Sequence, residues 1–202
     1  MRRVPAVAAA ACLLILGACR AGRSADTPPV VDVSAPDSLI GLVTAADSLL
    51  DALETREYGY EERALTVYAM HTGWYLVSTR DSTRTWLRAA AVDSFMPLDS
   101  LLHDRLSYLT DAWDGVLRVA PSMNAARVIT ASPLRASGTD SDQTPARVLR
   151  TRRMNESTWW AEVEVMNTSG CDAETPRVLA TGWVPLWGTN RAPTVWYFSR
   201  GC

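Results

Sequence analysis

The stretch TWWAEVEVM, Thr158–Met166, decides how this chain is to be read. Trp159, Ala161, Val163 and Val165 fall on one side of a two-residue alternation, and Trp160, Glu162 and Glu164 fall on the other. That is the pattern of a half-buried antiparallel strand. The same tryptophan belongs to a longer recurrence. VSAPDSLIGLVTA (Val33–Ala45) and VAPSMNAARVITA (Val119–Ala131) are similar, and thirty-eight residues separate Pro36 from Trp74 just as thirty-eight separate Pro121 from Trp159. WYLVST and WWAEVEV follow, then TWLRA around Trp86 and GWVPL around Trp183. Two copies of one β unit account for this spacing.

Working outward, ALTVYAMHTGWYLVST reads as two β-rich runs around Met70 to Gly73, hence a hairpin, with further turns at Arg80–Arg84 and at Asp114-Gly115. One segment pulls two ways. Leu39, Leu42, Val43, Ala46, Leu49, Leu50 and Leu53 recur at helical spacing, whereas the repeat demands a strand near Leu39–Thr44. We expect the strand, with a helical turn after Thr44. Leu98, Leu101, Leu102, Arg105 and Leu109 also fall on helical positions, which predicts a helix from Leu98 to Leu109 that joins the two units and buries its leucine face between them.

Composition removes several chemistries. The hydrophobic fraction of 48% is ample for a core, and the twenty basic residues are all arginine, balanced by twenty-two acids to a net charge of −2. Without lysine there is no Schiff base, no P-loop and no Ser-Lys dyad. His71 and His103 stand far apart without ligand-like neighbours, so neither a metal site nor any other cofactor is expected. The near-neutral charge argues against nucleic acid as a partner.

The N-terminus, MRRVPAVAAAACLLILGAC, places two arginines before a short apolar run, which is the form of a secretory signal and is too short to span a bilayer. Its Leu16-Gly17-Ala18-Cys19 ending resembles the lipobox of bacterial lipoproteins. The resemblance implies cleavage after residue 18, acylation of Cys19 and insertion of its lipid chains into a bilayer, where two or three chains hold far longer than one. Arg20 stands where an aspartate would favour inner-membrane retention, so the expected location is the periplasmic face of the outer membrane. Residues 19–29 form a tether, whose Arg20–Pro29 part is polar, ends in prolines and is able to reach about 33 Å. Cys12 leaves with the signal and Cys19 is taken by lipid, so Cys171 and Cys202 are expected to form a disulfide in an oxidising compartment. That bond would close a loop of about thirty residues and contribute about 3 to 4 kcal/mol in the chain-entropy model.

Trp159-Trp160 followed by Gly182-Trp183-Val184-Pro185 resembles an SH3-like barrel of the bacterial kind, and Gly73-Trp74 with Thr85-Trp86-Leu87 is a weaker likeness. The resemblance implies a mostly β protein: residues 30–95 and 114–202 as two small SH3-like β-barrels in tandem, joined by a helix within 96–113. It further implies a ligand groove built from Trp159, Trp183, Pro185 and Trp187, although core filling explains large side chains in a small barrel as well. Within the C-terminal stretch, GWVPLW repeats TWLRA of the first copy, whereas TVWYFSRGC has no visible counterpart and reads as an added closing strand. Glu162 and Glu164, about 7 Å apart along a strand, have the spacing of a glycosidase pair but are read as a solvated face. Arg147, Arg150, Arg152 and Arg153 beside them are read as cross-strand ion-pair partners, with lipid phosphates or wall carboxylates as the other reading. The expected function is a non-enzymatic binding or scaffolding lipoprotein with peptidoglycan or an envelope protein as ligand. The alternative is a wall-active hydrolase or its accessory factor.

Overall fold

A computed structural model describes residues 28–29, 38–130, 134, 143–155, 158–169 and 175–200. The chain is mostly β and forms two antiparallel sheets. The first contains β1 (Gly41–Val43), β2 (Thr55–Gly59), β3 (Glu62–His71), β4 (Trp74–Ser78), β5 (Arg84–Arg88) and β6 (Phe95–Pro97), with helix α1 (Asp47–Ala52) between β1 and β2. Its order is β5-β4-β3-β1-β6, and β2 lies on β3. Helix α2 (Leu98–Leu102) leads into the second sheet, made of β7 (Ser107–Leu109), β8 (Thr144–Arg153), β9 (Trp159–Met166), β10 (Val178–Pro185) and β11 (Val195–Tyr197) in the order β10-β9-β8-β7-β11. Each sheet is thus a three-strand meander whose first strand pairs with the opening strand of the unit, and the unit's last strand pairs back onto that opening strand.

The tryptophan half of the repeat is present in this topology. Trp74 opens β4 and Trp159 opens β9, while Trp86 lies in β5 and Trp183 in β10. The leading half is not. Leu39–Thr44 holds β1, and α1 follows it as expected, but residues 119–130 contain no strand. The strand equivalent to β1 is β7, inside the stretch expected to be helical. Helix α2 therefore ends at Leu102 instead of Leu109. The backbone is extended at His103 and left-handed at Asp104, with φ 54°, so the chain leaves the helical path and begins an alternation in which Ser107 and Leu109 are buried and Tyr108 is partly exposed. The tail is corrected as well, because β11 pairs with β7 as β6 pairs with β1, and so it has a counterpart in the first unit.

Two closed barrels were expected, but among the described residues both sheets are open, with β5 and β10 at their edges. They cover each other. Leu42, Ala64, Tyr68 and Leu76 of the first sheet share one core with Ala146, Val163, Val184 and Tyr197 of the second. The short helix sits in the seam, touching β1 and β6 on one side and β8 and β11 on the other, with Leu98, Leu101 and Leu102 buried. In its position and its leucine face α2 does what the spacing predicts, over a shorter span. The opposite face of the first sheet packs Val43, Leu65, Val67 and Val77 against Leu50 and Leu53, which is why Ala64–Tyr68 is buried on both sides.

The predicted hairpin turns at Thr72-Gly73, between the His71 and Trp74 pair. Gly73 has φ +76°, and an added Cβ would meet nothing within 4 Å. Gly73→Ala is therefore expected to cost only the left-handed backbone penalty, about 1 kcal/mol in urea denaturation. A loss of several kcal/mol would mean that the turn is packed.

Candidate functional site

Strand β9 follows the alternation from Ala161 to Met166, but Trp160, on its polar side, is buried as well. Ala161, Val163 and Val165 enter the shared core, and Trp159 packs against that core while remaining partly exposed. Beyond the end of β10 the chain turns back, Trp187 bridging to Pro193, and the indole Nε1 of Trp187 donates to the carbonyl of Leu39 at 3.2 Å. That bond ties the end of the second unit to the beginning of the first. Trp159 and Trp187 thereby come to line one cleft of about 490 Å³, whose facing wall is Tyr68, Met70 and Phe95 of the first sheet. Two charged groups reach the rim: Asp99, and Arg153, whose guanidinium lies 5.6 Å from the centroid of the Trp159 ring. Met70 is 54% exposed, so part of this apolar wall faces solvent.

Trp183 and Pro185 do not line the cleft. They alternate with Val184 and Leu186, which are core residues, so their side chains leave by the other face of β10. Trp183 is opposite Glu162, lies 5.3 Å from the Arg150 guanidinium, and is nearly buried. Its main chain exchanges hydrogen bonds with that of Arg118 at 3.0 and 2.8 Å. Pro185 is opposite Trp160, and its carbonyl accepts the Thr194 hydroxyl. Of the four groove residues expected from the sequence, the structure joins Trp159 and Trp187 and assigns Trp183 and Pro185 to sheet packing. Cys19, Cys171 and Cys202 lie outside the described residues.

The acidic face of β9 is occupied. Arg147 pairs with Glu164, its Nε donating at 2.9 Å, and Arg150 Nε donates to Glu162 at 2.6 Å. A bulge between Val148 and Arg150 makes both pairs possible, since it brings Arg150, not Leu149, opposite Glu162. The ion-pair reading of these two arginines therefore holds. His103 and Asp104 form a 2.9 Å pair at the surface, just past the end of α2. Among the described residues no group of three or more His, Cys, Asp or Glu side chains is placed to hold a metal ion, and no helix is long and apolar enough to cross a membrane.

The wall supplied by Tyr68, Met70 and Phe95 was not foreseen. Tyr68 and Met70 stand two apart in β3, but a bulge between Val67 and Ala69 interrupts the alternation there, so their spacing gives no shared face and nothing local shows that either meets Trp159. Compared with known proteins, the chain matches no family model, no curated protein and no solved structure.

Proposed function

We propose that this chain is a non-catalytic binding or scaffolding module of the bacterial envelope, held at the periplasmic face of the outer membrane by acylated Cys19. Its ligand is an extended peptide segment, from peptidoglycan or from an envelope protein, that enters the cleft between the two units. The observation that carries this reading is the cleft itself, where Trp159 and Trp187 face Tyr68, Met70 and Phe95, with Arg153 and Asp99 at the rim. A mainly apolar and aromatic concavity with a few polar groups at its edge is the usual form of a small binding site. Aromatic anchors of this kind dominate recognition of extended peptides.

We further propose that each sheet is an SH3-like module. The support is the shared strand order, in which the last strand returns to the first, and a short 3₁₀ turn at Ala89–Ala91 between the meander and that last strand in the first unit.

Retention of the full chain, solubilised in detergent, on isolated sacculi and on envelope extracts tests this reading. Met70→Glu puts a charge on an exposed part of the wall and leaves the core untouched. It is expected to reduce retention about tenfold or more, and Trp187→Ala to reduce it similarly. Near-UV circular dichroism checks that both variants stay folded. Full retention by the folded variants would sink the cleft as the ligand site, and release of muropeptides would favour the hydrolase.

A further inference from the structure

A second pocket, of about 320 Å³, opens where β2 of the first sheet meets β7 and β11 of the second. It shares no lining residue with the tryptophan cleft. Its walls are aromatic: the Tyr108 and Phe198 centroids are 4.7 Å apart, and the Trp196 and Tyr197 rings stack at 5.0 Å. Two guanidiniums reach it. Arg200 is engaged, its Nε donating to Glu57 Oε1 at 2.8 Å. Arg56 lies over the Trp196 ring, 5.0 Å from its centroid, and has no carboxylate partner among the described residues. On the same wall the buried hydroxyl of Tyr197 finds no hydrogen-bond partner among them either.

We propose that this pocket binds a singly charged carboxylate on a small apolar body, such as the C-terminus of a short peptide, with Arg56 as its cation. A guanidinium presents parallel N–H groups that match the two oxygens of a carboxylate, and stacking on an indole fixes its plane while leaving its edge free. Tyr108, Trp196 and Phe198 offer the remaining surface to the apolar part of the ligand. Charge balance sets the valence. With Arg200 already paired, one guanidinium remains, and the Glu57 carboxylate at the rim repels a dianion such as a phosphate monoester. The volume lies at the lower end of small-molecule sites, so it suits one or two residues of peptide and no larger segment.

Calorimetric titration of the full chain with N-acetyl-alanyl-alanine, with its C-terminal amide and with inorganic phosphate tests the assignment. Saturable binding of the acid is expected, with the amide and phosphate each weaker by about tenfold or more. Arg56 is exposed on its strand, so Arg56→Gln should fold normally. It should weaken the acid by about tenfold or more and leave the amide unchanged, while Met70→Glu in the other cleft should leave both unchanged. Equal binding of acid and amide, an acid affinity indifferent to Arg56→Gln, preference for phosphate, or no saturable heat up to about ten millimolar would each overturn the proposal.

Discussion

Truncating Leu102 to alanine is expected to lower the unfolding free energy by about 2 to 5 kcal/mol, and to lower it for both sheets together. Leu102 is fully buried in α2, the helix that touches β1 and β6 of the first sheet and β8 and β11 of the second. Removing its isobutyl group leaves a cavity that neither sheet can close alone, because the walls belong to both. The loss therefore combines the transfer term with a cavity term near the upper part of the range. Urea unfolding followed by far-UV circular dichroism and by tryptophan fluorescence checks it. Both probes should give one coincident transition whose midpoint falls while its slope stays unchanged. If the probes separate, or if the variant moves only one of them, the sheets are independent units and the shared core contributes little.

That core also explains which parts of the fold were legible in the sequence. A period of two in TWWAEVEVM and a glycine at a hairpin are local signals, and β9 and the Thr72-Gly73 turn followed from them, whereas the Arg150–Glu162 register depends on a bulge after Val148 that no period reports. Leu109 shows where local signals fail, since it completes a helical spacing with Leu98, Leu101, Leu102 and Arg105 and equally a strand alternation with Ser107. The left-handed backbone at Asp104 decides between the two, and no periodicity reports it. Strands β6, β7 and β11 are three residues each, too short to show a period, so their pairing comes from long-range contacts. For the same reason half of the tryptophan cleft was missed. Trp159 and Trp187 were named as groove residues through the SH3-like likeness, whereas the first sheet that faces them is brought there by packing across the seam.

The pocket at the far end of this seam makes stability fall in alkali. Burial pushes the Tyr197 hydroxyl from 10.0 up to about 12, against the opposing pull of Arg105 and Arg56. Arg105 lies 4.5 Å from the centre of the ring, and its Nη1 donates to the Tyr58 carbonyl at 2.8 Å. The neighbouring hydroxyls of Tyr58 and Tyr108 are raised too, mainly by burial. The sign follows from proton counting. Below pH 10 both states keep the phenolic proton, so stability is fully present. Between pH 10 and about 12 the unfolded chain has lost a phenolic proton that the folded chain still retains. The unfolded state then binds fewer protons, and the unfolding free energy decreases with pH. At about 1.4 kcal/mol per pH unit for one group, the loss across this interval is about 2 kcal/mol. Urea midpoints measured from pH 9 to about pH 12 should decline accordingly. Tyr197→Phe keeps the ring, removes the buried hydroxyl that has no partner among the described residues, and should flatten most of that decline without lowering stability at neutral pH. An unaltered alkaline slope in this variant would assign the effect to Tyr58 and Tyr108. A marked loss of stability at neutral pH would show instead that the Tyr197 hydroxyl is hydrogen-bonded in solution.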